Sequence, residues 1–256
     1  MDENVWSIDT MRATFFSTLT SPKSIAESWG LLAGYESDSL QINQGPGGHA
    51  LAAGSVNKDG SGGVLQMVRQ PGRVDIHHVF PMKVEDAGTI DLVESLAASP
   101  ALTDFGARLN RWFESAPDCS RIALGCTARL IVDSRETGYK TLQAYLPSVT
   151  LDAMGSSDFS YQINRPRKSR AVDFPLQINR LTKWGVVTLS FRANLPMEVA
   201  AVAPVQFASS RQMCRAELDL STAEQNEKSL TSDVQRQLWN ELTGLAVELL
   251  REGDRP

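Results

Sequence analysis

Residues 233–250 read DVQRQLWNELTGLAVELL, and this stretch decides one layer of the fold. Val234, Leu238, Leu242, Leu245 and Leu249 recur every three or four positions, so a helix gathers them into one stripe. Such a stripe has to be covered. Ser232 followed by Gln235 matches a capping box at the helix start, and Gly253 supplies the stop. Just upstream, Gln212 to Leu220 alternates instead: Cys214, Ala216, Leu218 and Leu220 against Arg215, Glu217 and Asp219. A period of two marks a strand with one dry and one wet face. Val187, Leu189 and Phe191 alternate with Thr188 and Ser190 in the same way. The predicted class is α+β, with mainly antiparallel sheets packed on two long helices.

Working outward, strands are predicted at Phe159 to Asn164, Leu176 to Arg180 and Val186 to Phe191, and a short helix at Glu136 to Leu146. Arg121 to Val132 reads as a strand. The other long helical region runs over residues 89–115, where Leu92, Val93, Leu96, Leu102, Phe105, Leu109, Trp112 and Phe113 keep helical spacing and Pro100 is expected to split it after Ser99. Val64 to Val68 and Val74 to Phe80 flank Gln70-Pro71-Gly72-Arg73, a hairpin signal because glycine tolerates the positive φ of a type II turn. Trp6 to Leu19 reads as the first strand. Ser21-Pro22 is expected to open a short helix with Ile25, Trp29 and Leu32 inside and Gly34 at its end. Glycine clusters at 45–48 and 60–63 read as hairpin tips.

Each half then reads strand, short helix, several strands, long helix. Two pseudo-equivalent halves are expected, residues 1–117 and 118–256, meeting at Ala116-Pro117-Asp118 and packed tightly enough to count as one domain. Gln41-Ile42-Asn43 and Gln162-Ile163-Asn164 are the repeated signature.

The chain has 256 residues, 42% hydrophobic and 21% charged, with a net charge of -5. That is an ordinary globular balance and excludes wholesale disorder and a generally basic nucleic-acid coat. Cys119, Cys126 and Cys214 have no CxxC spacing, Met1-Asp2-Glu3-Asn4 lacks the pattern of a secretion signal, and no apolar run approaches the roughly 20 residues that span a bilayer. A cytoplasmic protein with buried thiols and no membrane contact is expected.

Against this acidic background one segment is strongly basic. Tyr161-Gln162-Ile163-Asn164-Arg165-Pro166-Arg167-Lys168-Ser169-Arg170 carries four cations within six residues, and Gln177-Ile178-Asn179-Arg180 repeats its QINR, with Lys183-Trp184 beyond. Arginine forks bind phosphate or carboxylate, and Tyr161 and Trp184 are candidates for stacking. An exposed hairpin is expected here. Arg165, Arg167, Lys168, Arg170, Arg180 and Lys183 would meet another protein subunit or a nucleic acid, and losing the first four cations would leave stability nearly unchanged. The alternative is that the arginines pair with Asp158, Asp173, Glu217 or Asp219.

No other motif carries chemistry. His77-His78 in a strand point to opposite faces and do not chelate together; with His49 they are the only histidines. There is no GxSxG and no phosphate loop. No catalytic residue, metal ligand or cofactor is predicted. At Ser157-Asp158-Phe159 through Arg167, and again at Glu217-Leu218-Asp219-Leu220-Ser221-Thr222, the chain resembles a patchily distributed group of uncharacterised bacterial proteins of similar length. The resemblance covers mainly the second half, implies no catalytic residue, and suits a host-defence setting. The leading expectation is a non-catalytic binding or scaffolding subunit of a bacterial assembly. The alternatives are a small-ligand-binding domain, with Gly185, Ala193, Ala200, Ala201 and Ala203 leaving room for a pocket, and an enzyme using Glu217, Asp219 or His78.

Overall fold

The computed structural model describes residues 6–17, 23–43, 48–57, 62–80, 97–193, 207–224 and 228–255. Over the described residues it is an α+β structure with four helices and a ten-stranded sheet. The first half supplies β1 (Ser7–Phe16), α1 (Ile25–Ala33), β2 (Ser39–Ile42), β3 (Ala50–Ser55), β4 (Val64–Gln70), β5 (Arg73–Val79) and α2 (Ala98–Phe113). The second supplies β6 (Arg121–Val132), α3 (Arg135–Tyr145), β7 (Ser160–Asn164), β8 (Arg167–Lys168), β9 (Gln177–Ala193), β10 (Phe207–Thr222) and α4 (Ser232–Glu252).

The strand order is β2-β3-β4-β5-β1-β6-β10-β9-β7, with β8 also on β9, and the pairings are antiparallel throughout. The two halves share this sheet through β1 and β6 at its centre. Outward from β1 come β5, β4, β3 and β2; outward from β6 come β10, β9 and β7. Each half lays its first strand at the centre and brings its last strand back beside it. The QIN tripeptides do not correspond in this order. Gln41 and Ile42 lie on β2, the outermost strand of its half, whereas Gln162 to Asn164 lie on β7, which matches β3 in position.

All four helices cover one face. Met11, Ala13 and Phe15 of β1, Ile122, Leu124 and Ala128 of β6, and Cys214, Ala216 and Leu220 of β10 alternate onto that face and join one core with Trp29, Phe105, Leu142 and Trp239 of the helices. Residues of the opposite parity form a second face that carries no helix among the described residues, including Arg12, Thr14, His77, Gly125, Thr127, Lys183, Glu217 and Asp219. The period-two pattern fixes which residues go where, because a pleated strand turns successive side chains to opposite faces.

Several local expectations change. The capping box falls on Ser24 and Glu27 at the start of α1, each side chain bonding the other's backbone N–H, and Gly34 ends α1 at φ +83°. Ser21-Pro22 lies outside the described residues, as do 81–96. Pro100 does not split a helix. It sits in the first turn of α2, where its missing N–H had no partner to lose. That helix start is held by the residue before β1, with the Ala98 N–H donating to Trp6 O at 2.9 Å. Ser232 and Gln235 form no capping box either. The Ser232 hydroxyl donates to Phe113 O, and buried Gln235 donates to Pro117 O at 2.9 Å and Leu230 O at 2.8 Å. The junction at 116–118 is therefore fastened to α4. The strands expected at 176–180 and 186–191 are one, β9, because Thr182 and Trp184 continue the inward alternation between them. The Pro71-Gly72 turn stands, with Gly72 at φ +74°.

Candidate functional site

The basic segment forms the expected hairpin with β9, Arg167 opposite Ile178 and Lys168 opposite Gln177, but it lies against the last helix instead of projecting free. Arg165 follows β7, and its Nε donates to Asp254 at 3.0 and 3.1 Å. Tyr161 OH donates to the same carboxylate at 2.9 Å. Asp254 is buried, and its own N–H donates to Tyr145 O, so the turn after α4 ties α3 and β7 together. Gly253 makes the turn possible: its φ is +82°, and a Cβ there would lie 2.0 Å from Tyr145 O.

Glu241 does the equivalent work one segment on. It projects from α4 and accepts from Arg167 Nη2 at 2.8 Å, from the Ser169 hydroxyl, and from the N–H groups of Arg170 at 2.9 Å and Ala171 at 3.3 Å. Its side chain is 8% exposed. Burial pushes its pKa up, but the bonds from Ser169, Arg170 and Arg167 outweigh that, and the net shift is downward. Arg180 reaches the same side, close to Glu248 and Asp254. Burial disfavours its charge, and its Nε is buried without a hydrogen-bond partner.

The predicted site residues therefore separate. Arg165 and Arg167 are held by acids that lie 89 and 74 positions away, not by Asp158, Asp173, Glu217 or Asp219. Trp184 is fully buried, stacked on Tyr145 at 5.9 Å and edge-on to Trp6 at 5.6 Å, so it belongs to the core and offers no ring to a base. Tyr161 spends its hydroxyl on Asp254. Lys168 and Arg170 remain exposed. Lys183 lies on the helix-free face, 3.9 Å from Glu217, which also accepts from Arg215 at 3.0 Å.

The helix-free face holds polar residues that sequence patterning alone does not single out. Arg73 pairs with Asp75 at 2.7 Å, Arg121 with Glu224, Arg129 with Asp9 and Arg215 with Glu217. Arg12 and Asp219 have no ion pair among the described residues. They flank Gly125 in register, one from β1 and one from β10. A concavity of about 360 Å³ lies there. The sequence hints are Asp219, already a candidate acid, and Arg12, which with Asp9 is one of the two charged residues of β1.

The remaining candidates take structural places. His78 is buried against Phe80 and Phe105 and meets Gly62 O at 2.7 Å. Burial lowers its pKa, so the folded protein holds it neutral. The sign follows: the unfolded histidine takes up a proton below about pH 6.5 while the buried one resists, so stability falls as pH drops through that value. We expect a lower urea midpoint at acid pH, and a smaller drop in His78→Gln; an equal drop in the two proteins would remove His78 as its source. Cys119, Cys126 and Cys214 are buried, which pushes each thiol up to about 12 and leaves them unreactive. Among the described residues, no three His, Cys, Asp or Glu side chains converge on a metal position, and no helix is long and apolar enough to cross a membrane. Ala200, Ala201 and Ala203 lie outside the described residues. No protein-family model matches the chain, and comparison with curated proteins and with solved structures finds no match.

Proposed function

We propose that this chain is a non-catalytic binding subunit that docks an acidic protein surface through the basic segment at residues 161–184. The observation that supports it is the Glu241 clamp. By bonding the N–H groups of Arg170 and Ala171 and the side chains of Arg167 and Ser169, Glu241 holds the segment in one shape and leaves Lys168 and Arg170 facing solvent. Cations on a pre-ordered backbone lose less entropy on binding than cations on a free loop. In a chain of net charge -5 they form a local attractive spot on a repelling surface, which restricts how a partner docks. Two exposed cations suit a patch of carboxylates better than the long phosphate track of a nucleic acid, where each neutralised phosphate adds to affinity. On this reading the protein is a cytoplasmic subunit of a bacterial assembly, and the patchy group it resembles suits host defence. The shared placement of each half's first strand at the centre with its last strand beside it is what a duplicated ancestral unit would leave.

The test uses fluorescence anisotropy with two probes, a labelled oligo-glutamate peptide and a labelled single-stranded oligonucleotide. The peptide should bind at low salt and release as salt rises. The double variant Lys168→Glu, Arg170→Glu should lose that binding while its melting temperature stays close to the parent's, since exposed charges are worth about 0–1 kcal/mol each. Tighter binding of the oligonucleotide would redirect the reading to nucleic acid. Undiminished peptide binding by the double variant would end it.

A further inference from the structure

We infer that the concavity above Gly125 is a binding site for a small zwitterion of the α-amino-acid class, its carboxylate held by Arg12 and its ammonium by Asp219. The site lies on the helix-free face; it shares Gln162 and Lys183 with the 161–184 segment but not Lys168 and Arg170, and the inference does not depend on the docking role of those two cations.

Four observations converge. The first is the pairing of charges. Arg73, Arg121, Arg129 and Arg215 on this face each hold a carboxylate, whereas Arg12 and Asp219 hold none among the described residues, although both flank Gly125. The buried Nε of Arg12 has no hydrogen-bond partner.

The second is the direction of the Arg12 fork. A Cβ built on Gly125 would have Arg12 Nε and Nη2 as its nearest neighbours, both at 3.5 Å, followed by Arg12 Cβ at 3.6 Å. Two nitrogens of one guanidinium edge are equally near, and the carbon between them is not among the closest atoms. That edge therefore packs over the bare backbone of Gly125, so the guanidinium crosses β6 from β1 toward the β10 strand that carries Asp219. Nη1 and Nη2, which are not buried as Nε is, form the end-on pair that can meet a carboxylate bidentately.

The third is the glycine itself. Gly125 sits in the middle of β6, and its missing side chain lets Arg12 cross that strand toward Asp219. The fourth is the balance of charge. Lys183 and Glu217 line the concavity and offset each other, as do Arg12 and Asp219. Burial lowers the pKa of His77, on the far side of Arg12, so it adds no charge at neutral pH. A bare anion would be repelled by Asp219 and a bare cation by Arg12. A ligand with both charges a few bonds apart satisfies both. The volume of about 360 Å³ falls in the usual range for small-molecule sites and leaves room for a side chain beside Thr127 and Gln162.

The experiment screens the common free L-amino acids against the full chain by thermal shift, then titrates the strongest by calorimetry. At least one should bind with a Kd of about 1 mM or tighter. In Gly125→Ala the added methyl lies in ordinary contact with Arg12 and crowds the guanidinium where it crosses β6, so the variant should fold and bind at least about tenfold more weakly. Arg12→Lys keeps the charge but loses the fork and should weaken binding similarly. Asp219→Asn should weaken the free amino acid while leaving its N-acetyl derivative, already a poor ligand, unchanged. The Lys168→Glu, Arg170→Glu variant should bind the amino acid as the parent does. The inference fails if no amino acid shifts the melt at concentrations about tenfold above that Kd. It also fails if the N-acetyl form binds the parent protein as well as the free amino acid does, or if Arg12→Lys and a folded Gly125→Ala bind undiminished. Should Gly125→Ala not fold, Arg12→Lys and Asp219→Asn decide.

Discussion

Glu241→Ala should lower the unfolding free energy by about 3–5 kcal/mol, the usual cost of removing one side of a buried, hydrogen-bonded ion pair. Four donors converge on Glu241: the Arg167 guanidinium, the Ser169 hydroxyl and two backbone N–H groups. Alanine leaves all four to water or to nothing, and a buried donor left unpaired costs about 1–3 kcal/mol by itself. Since a domain of ordinary stability has about 5–15 kcal/mol in total, the urea midpoint should fall markedly. The pH dependence has a definite sign. The folded pKa of Glu241 is depressed, so its contribution is complete above the unfolded value of about 4.3 and is lost as pH falls through the folded value. Acid should therefore erode the parent protein more steeply than Glu241→Gln. By the same reasoning, removing Arg165, Arg167, Lys168 and Arg170 together is not neutral for stability. Arg165 and Arg167 hold Asp254 and Glu241, both nearly buried, so truncating those two should account for the loss, while the two exposed cations account for almost none. A Glu241→Ala protein with the parent's midpoint would show that the clamp is dispensable.

The other large effect is expected at Leu242→Asp. Leu242 is fully buried in the middle of α4, on the stripe that meets the sheet and α2. An aspartate there gives up about 1.5–3 kcal/mol of apolar burial and places a charge with no partner in the core. The two costs together rival the whole stability of a domain, and the variant should be insoluble or lack a cooperative melt. A soluble Leu242→Asp protein that melts cooperatively would overturn the placement of α4.

Much of the fold could be read from local pattern. The boundaries of β6 and α3, the Pro71-Gly72 hairpin and the inward residues of α1 all depend on neighbours within a few positions, and periodicity reports those directly. The failures share a cause. At Pro100 the helix start is satisfied by Trp6 O, a residue distant in sequence, and at Ser232 the hydroxyl goes to Phe113 O instead of its own helix. The stretch between Arg180 and Val186, assigned to neither predicted strand, contains Thr182 and Trp184. Both are buried on the helix side of a single strand.

The candidate sites divide along the same line. The density of cations at 165–170 is visible in one dimension, but their partners are not. Asp254 follows a glycine past the end of α4, and Glu241 sits among leucines where a helical wheel marks only an acid near the stripe. Which cations face inward depends on how β7 and β8 lie against that helix.

Periodicity in the sequence by itself determined the α+β class, the apolar faces of strands and helices, and the presence of one basic segment, because each is a property of residues close together in the chain. Only the tertiary structure decided that Arg165 and Arg167 turn inward while Lys168 and Arg170 stay outside, that Trp184 is core, and that Arg12, Gly125 and Asp219 stand in one row. Those outcomes depend on register between β1, β6 and β10 and on contacts spanning 74 to 89 positions, and pairing over such distances is set by the packing of whole elements.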